Sequence, residues 1–469
     1  MNTPAGTPDP GRVDGWVWPA RLRPPERLAE TRAGELVVRH PPADSQASRA
    51  LVTSLRAAAS DLSSIPVAEM VELLGGATDA LVSGLDGDAV GHVAANAGIS
   101  TAMAAQILEG IAPSWNGESL GHLVAAEFSD PRVLDGFVPE GARAIRAAGP
   151  GLTLHLGAGT VPGVTVTSMI RALLVKSAVL AKPGAGDVAL TVRFARELQR
   201  IDARVGAAVA VQYWPGGAED WDSWEREVLR AADQVVVYGS DATIESVRAR
   251  APASTRLVEH PHRIGVAVVD PGRAPGAAAE AARAAVLFDQ RGCVSTQLVF
   301  VLGARRAVRR WCASLANELV ALEVVLPPGP VEPADLSALH QLRGRLRMKG
   351  AASAGTRSGE IDLWHGERSR WTVVLASPDA FEPSGGRTVW VAAVPDLNAC
   401  LRALARLAPV LQTVGLAGIG ANRVDFAREL CGLGVTRVVP LPEVPYPEAD
   451  WMHDGSRPLG ELVRWSELR

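Results

Sequence analysis

The stretch that decides the fold is Leu152–Asp187, LTLHLGAGTVPGVTVTSMIRALLVKSAVLAKPGAGD. It opens on a short apolar run, LTLHL, that ends in glycines. VTVTSMIRALLVKSA follows with helical spacing, and VLAKPG reads as a second buried strand and turn. A strand, a crossover helix and a second strand of the same kind predict a parallel sheet.

The same alternation continues outward from it. DVALTVRFARELQRID (187–202) reads as a helix and GAAVAVQYW (206–214) as a strand. WDSWEREVLRAA (221–232) reads as a helix, QVVVYGS (234–240) as a strand and ATIESVRARA (242–251) as a helix. Upstream, residues 47–110 are helical, although Ser/Asn-type caps are weak there. Downstream, DPGRAPG (270–276) is a connector that breaks the pattern, and a second α/β series follows it. PPGPVEP (327–333) is another breaker, and AASAGTRSGE (351–360) reads as an exposed loop. The expected organisation is a loose tail over 1–15, a first α/β domain over 16–268, a second over 269–438 and a Pro-rich extended segment over 439–469 that packs back on the first domain or on a partner subunit.

Composition limits the function. The chain has 469 residues, 47% of them apolar and 21% charged, which is the balance of a globular protein of more than one domain. Net charge is −4, and no basic block suggests a nucleic-acid surface. No apolar run is long enough to span a membrane and no secretory signal is visible, so a cytoplasmic protein is expected. Abundant alanine, glycine and arginine with few lysines suggest a GC-rich bacterial genome. The four cysteines, at 293, 312, 400 and 431, are scattered, with no CxxC pair.

Five places could carry chemistry. Cys293, in FDQRGCVSTQLVFVLG (288–303), follows Gly292, which lets a substrate approach the thiol; a buried inert thiol is the alternative. The other three cysteines sit on amphipathic helices and read as inert. The turn HLGAGTVPGV (155–164), with Gly157 and Gly159, could bring backbone to a ligand or only pack the turn. Lys182, after a buried strand, could reach a ribose or a phosphate, or be a solvated edge lysine. Gly239 and Ser240, between a strand and a helix, could seat a pyrophosphate or only cap the helix. EHPHRIGVAVV (259–269) offers Glu259, His260 and His262. It lacks a third ligand at metal spacing, so no metal is assigned.

Taken in order, these motifs resemble the aldehyde dehydrogenase superfamily, and more closely the LuxC-like acyl-CoA reductases. The resemblance runs from about Trp18 to the C-terminus and is densest over Leu154–Val301. HLGAGTVPGV through AKPGAGD, VVVYGSDATIESVR, HRIGVAVV, FDQRGCVSTQLVFV, LQTVGLAG and VPLPEVPYPEADWMHDGSRPLGELVRW carry it. It implies two Rossmann-like three-layer α/β/α domains with the active site in the cleft between them. It also implies NAD(P)H-dependent reduction of an acyl thioester, from CoA or a carrier protein, to an aldehyde through an acyl group on Cys293.

Under that resemblance Lys182 binds the adenosine ribose region, Gly157 and Gly159 belong to the cofactor side, and Gly239 and Ser240 sit at the pyrophosphate. His262 lines the active site. Thr160 stands where the family usually places an asparagine that donates to the oxyanion. Ala185, in place of an acid, makes NADPH acceptable, with NADH as the other option. Glu259 is given no role. A homo-oligomer is expected. The alternatives are an aldehyde oxidiser running in the opposite direction, and a nucleotide-binding homologue that has lost activity, for which Thr160 is the motive.

Overall fold

The computed structural model describes residues 11–157, 159, 161–331, 333–352, 361–366 and 369–469. The chain divides into two compact units, the first formed by Met1–Pro261 with Glu448–Arg469 and the second by His262–Pro447.

The first unit is built on six strands: β1 (Trp16–Val17), β2 (Leu152–Leu156), β3 (Ala178–Lys182), β4 (Val209–Gln212), β5 (Gln234–Tyr238) and β6 (Arg256–His260). Their order across the sheet is β6-β5-β2-β3-β4-β1, with every pair parallel except β1 with β4. The chain leaves β2 toward β3 and β4, then returns to β2's other side for β5. The carboxyl ends of β2 and β5 therefore flank the point where strand order reverses, which is where open α/β sheets bind ligands. Nearly every residue of β2 to β5 is buried, as expected for strands covered on both faces. The crossover helix α1 (Val164–Leu174) joins β2 to β3, and α2 (Val188–Ile201) follows β3.

Five helices between residues 45 and 127 belong to this unit. Their N-termini are better capped than the sequence suggests. Asp44, Asp86, Ser100 and Asn116 each accept a backbone N–H from the first turn. Arg12–Asp14, assigned from sequence to a loose tail, is a strand paired in parallel with Leu36–His40. The final strand, Arg464–Leu468, pairs antiparallel with Arg143–Ala148.

The second unit has seven strands: β7 (Ile264–Val269), β8 (Thr296–Leu302), β9 (Asp362–Trp364), β10 (Thr372–Leu375), β11 (Thr388–Val394), β12 (Leu411–Ala417) and β13 (Arg437–Pro440). The order is β9-β10-β11-β8-β7-β12-β13, parallel throughout except at the β9 edge. Helix α4 (Ala277–Val286) precedes β8, α5 (Arg305–Val325) follows it, and α6 (Pro333–Ala352) leads on toward β9. Val266, Val268, Leu298, Phe300, Trp390 and Val414 form the centre of its core. The boundary read from sequence at 268–269 would cut β7. That strand pairs on both sides with β8 and β12, so the division falls before it, at Pro261–His262.

One buried histidine sets an acid limit on the first unit. His155, in β2, has its Nδ1 hydrogen-bonded with the Ser168 hydroxyl at 2.6 Å, and burial holds its pKa down at about 3. The unfolded chain takes up that proton near 6.5. This group's contribution is therefore complete above pH 6.5 and is lost as the pH falls toward 3, at about 1.4 kcal/mol per pH unit. His155→Leu should flatten the fall of melting temperature between pH 6.5 and 4; an unchanged slope would exclude His155 as its source.

Candidate active site

The cysteine turn lies wholly in the second unit. After α4 the backbone enters the left-handed region at three consecutive non-glycine residues, Phe288 (φ 60°), Asp289 (φ 49°) and Gln290 (φ 62°). Each costs on the order of 1–2 kcal/mol for an L-residue, and such a run persists only where its surroundings over-determine it. Here they do. The Asp289 carboxylate accepts from Arg387 Nε at 2.8 Å and Nη2 at 2.6 Å, and from the Gly329 N–H at 3.2 Å. Arg387 Nη1 donates to the Leu326 carbonyl at 2.8 Å. The Gln290 amide donates to the Thr296 and Thr388 carbonyls at 3.0 and 2.8 Å and accepts from the Thr388 N–H at 2.9 Å. Thr296 and Thr388 are the first residues of β8 and β11.

That segment delivers the chain into a tight turn, 292–295, closed by the Ser295 N–H on the Gly292 carbonyl at 3.0 Å. The Ser295 hydroxyl accepts from the Gly292 N–H at 3.2 Å. Cys293 is the second residue of the turn and is partly exposed, whereas Gly292, Val294 and Ser295 are buried. Gly265, in β7, supports the turn from below: a Cβ there would lie 2.3 Å from the Val294 carbonyl oxygen. The thiol is thus presented at the amino end of β8 by a rigid base, with glycine beside it.

The other cysteines differ from it. Burial pushes the Cys312 thiol up to about 12 and raises Cys400 further. Neither is a usable thiolate near neutral pH. Cys431, grouped with them in the sequence reading, is exposed on the helix Arg423–Gly432. A cavity of about 550 Å³ lies against the same segment. Asp289, Gln290 and Arg291 line one side of it, Leu336 and Leu339 of α6 another, and Gly385 and Gly386 a third.

In the first unit, the turn after β2 is strapped to the turn after β3. Gly157 N–H donates to the Lys182 carbonyl at 2.9 Å, and Gly186 N–H donates to the Gly159 carbonyl at 2.8 Å. A Cβ on Gly157 would lie 2.4 Å from the Thr165 hydroxyl, so packing alone requires glycine there. Asp187, which the sequence reading left without a role, closes the strap. Its carboxylate accepts the Gly163 N–H at 2.8 Å and the Thr165 N–H at 2.9 Å, at the N-terminus of α1. Desolvation raises its pKa to about 6 against the pull of those two N–H groups. Two of the N–H groups at the N-terminus of α1, those of Gly163 and Thr165, are therefore taken by the protein itself. Thr160 lies outside the described residues.

Lys182 ends β3 with its Nζ 5.9 Å from the Tyr213 ring centroid and 5.8 Å from that of Trp214. Burial lowers its pKa, and Glu225 partly opposes the shift. Trp214 stacks on Trp221 at 5.8 Å, a platform that the run YWPGGAEDWDSW (213–224) could have signalled. Gly216 stands beside the ammonium: its Cβ would come within 4.0 Å of Nζ. At the end of β5, Ser240 caps helix α3 (Asp241–Arg250) through the Thr243 N–H at 3.3 Å, and Gly239 leaves room for the Thr243 side chain.

Of the remaining candidates, Glu259 pairs with Arg248 at 2.6 Å. His262 is exposed in the residues between β6 and β7. His260 belongs to a stack of four rings, Tyr238, His260, His453 and Trp451, with centroid spacings of 4.4, 4.3 and 4.5 Å. Its Nδ1 meets Asp454 at 2.9 Å. His260, His453 and Asp454 form the one group of potential metal ligands among the described residues, which sequence spacing could not reveal. The two imidazole planes lie within 8° of parallel, so their in-plane lone pairs run side by side instead of converging. The stack anchors the C-terminal segment on β5 and β6.

The fold is that of the aldehyde dehydrogenases. The structure matches a putative methylmalonate-semialdehyde dehydrogenase from Sinorhizobium meliloti solved with NAD, at a TM-score of 0.73 and 14% identity over 97% of each chain. It matches an NADP-dependent glyceraldehyde-3-phosphate dehydrogenase from Bacillus halodurans at 0.71 and 12%, over 95% of this chain and 96% of that one. Within that superfamily, residues 62–465 match the family model described as acyl-CoA reductase (LuxC), and the chain belongs to that family. It is 24% identical over 355 residues to long-chain acyl-protein thioester reductase 2 of Photobacterium leiognathi, covering 74% of this chain and 70% of that protein. It is 25% identical over 352 residues to the Aliivibrio fischeri long-chain acyl-protein thioester reductase, with the same coverage. Family and fold together define an aldehyde-forming acyl-thioester reductase. Among the described residues no helix is long and apolar enough to cross a membrane.

Proposed function

We propose that the chain reduces a fatty acyl thioester, delivered by CoA or by a carrier protein, to the aldehyde through an acyl group carried on Cys293, with NADPH or NADH as reductant. The observation that carries this reading is the braced turn that holds Cys293 partly exposed between Gly292 and the buried Val294.

The sulfur of Cys293 attacks the thioester carbonyl. The Cys293 N–H donates to the oxyanion; Thr160, which the resemblance puts in the place of the family's asparagine, lies outside the described residues. The donor thiolate leaves and takes up the proton that Cys293 gave, which leaves an acyl-cysteine. A reduced nicotinamide, when bound, would supply the hydride for the acyl carbon. Collapse of the tetrahedral alkoxide on Cys293 would then release the aldehyde and return Cys293 as its thiolate.

The residues of the first unit fit a dinucleotide. Lys182 is a cation flanked by two aromatic rings. Gly239 and Ser240 start a helix at the sheet's switch point, a place suited to a pyrophosphate. Gly157 and Gly159 act on this side by shaping the strap beneath it, and His262 takes the active-site place that the family gives it. Lys182→Met should raise KM for NADPH about tenfold or more, the scale of one hydrogen bond to a charged group. Acylation of Cys293, which needs no nicotinamide, should be unchanged. An unaltered KM would remove Lys182 from the cofactor site. The reading further takes the protein to be a cytoplasmic homo-oligomer.

The test is consumption of NADPH and of NADH by the full chain with acyl-CoA and acyl-carrier thioesters of graded length. One aldehyde formed per nicotinamide oxidised is expected. Aldehyde oxidation to free acid without a thiol acceptor, and no reduction of any thioester, would overturn the proposal.

A further inference from the structure

The bonds that hold the left-handed segment reach well beyond it. Asp289 and Arg387 are both buried, at 8% and 2% exposure, and Arg387 itself has a positive φ of 55°. Their pair fastens three elements together: the segment 288–290, the end of α5 through Leu326, and the start of β11. No glycine occurs at 288–290, and of the three residues only Asp289 is of a type that visits this conformation, and then only singly. The next residues are Arg291, Gly292 and Cys293, and the turn that carries the thiol begins at Gly292.

We infer that Asp289 and Arg387 are positioning residues for Cys293: their buried ion pair imposes the left-handed segment, and through it fixes the direction in which the thiol is presented. The inference rests on Cys293 being the nucleophile. Several features of the pair fit positioning better than general packing. An apolar pair of the same volume would fill the site equally well without holding a backbone conformation. Asp289 Oδ1 takes both Nε and Nη2 of Arg387, and Oδ2 takes the Gly329 N–H, so the carboxylate is held in both position and rotation. Gln290 repeats the device one residue on. Its amide is used by the first residues of two neighbouring strands, which seats the segment across the amino ends of β8 and β11. Asp289, Gln290 and Arg387 also line the cavity, so they stand between it and the cysteine turn without supplying a reacting group.

Relaxation of the segment would let the thiol swing. A misplacement of about 1 Å costs about 10²-fold in rate when the reacting atoms must meet in one geometry. The effect should fall on acyl transfer and not on binding.

The experiment follows acylation of Cys293 by hexadecanoyl-CoA in single turnovers, by intact mass, in a Cys431→Ser background that removes the exposed thiol. Asp289→Asn keeps the shape and removes the charge. It should fold with the wild-type circular dichroism spectrum and slow acylation about 100-fold, with half-saturation for the thioester changed less than threefold. Arg387→Lys retains a buried cation and should recover part of that loss. It serves as the second variant, judged by the same threshold, should Asp289→Asn not fold. A folded variant that acylates within threefold of wild type overturns the inference while leaving the nucleophile intact. If the wild type takes up no acyl group on Cys293, the underlying reading fails first, and the inference with it.

Discussion

Cys293→Ala should lower aldehyde formation from any accepted thioester by at least about 10⁴-fold. That is the scale on which removing a covalent nucleophile acts when the rest of the site survives. The substitution removes one sulfur from a partly exposed position in a turn whose bonds run through Gly292 and Ser295. Folding should therefore be untouched, and the melting temperature should stay within a degree or two. The remaining thiols cannot substitute. Burial holds Cys312 and Cys400 protonated, and Cys431 lies on a surface helix far along the chain. Steady-state turnover with the best substrate of the panel measures the effect. Residual activity above about one per cent of wild type would mean that the acyl group is not carried on Cys293.

Asp187→Ala should destabilise the first unit by about 3 kcal/mol. The carboxylate satisfies the Gly163 and Thr165 N–H groups at a buried helix N-terminus, and each donor left without an acceptor costs about 1–3 kcal/mol. Part of that is offset, because the buried charge also disappears and burial opposes it. The sign of its pH dependence is opposite to that of His155. Asp187 has a folded pKa of about 6 against 3.8 unfolded, so its own contribution is fullest below pH 3.8 and weakens as the pH rises to 6. Asp187→Asn, which keeps one acceptor, should lose about half as much stability and remove that component. Calorimetry of both variants at pH 5 and 7.5 measures this. A loss below about 1 kcal/mol for the alanine variant would show that the strap is held by other bonds.

The central strands of both sheets were legible as short apolar runs, among them LTLHL at 152 and LQTVGLA at 411, whereas β1, β6, β9, β10 and β13 were not read as strands. Fully buried parallel strands carry that signal strongly. Cys293, Lys182 and the turn at Gly239–Ser240 were legible as candidates because each sits at a strand terminus beside glycine or a helix start.

What holds them was not legible. Asp289 and Arg387 are 98 residues apart, and nothing in FDQRGC marks three left-handed residues that lack glycine. Asp187 looks like any acid after a turn until Gly163 and Thr165 are placed against it. The division of the chain was misplaced because DPGRAPG follows β7, whereas the strand's pairing, and not the composition of its neighbours, decides which sheet it joins. The sequence leads one to expect the C-terminal segment on the first domain or on a partner subunit, but it does not show the contact itself, His453 and Asp454 meeting His260 across nearly two hundred residues.

The central claim is that Cys293 carries the acyl group. Intact-mass measurement after mixing the chain with a long-chain acyl-CoA or acyl-carrier thioester, without any nicotinamide, tests it most directly. A single acyl adduct is expected, mapped by peptide analysis to Cys293, absent from Cys293→Ala and discharged as aldehyde when NADPH is added. An adduct on another residue, or aldehyde formed with NADPH while Cys293 stays unmodified throughout, would contradict it.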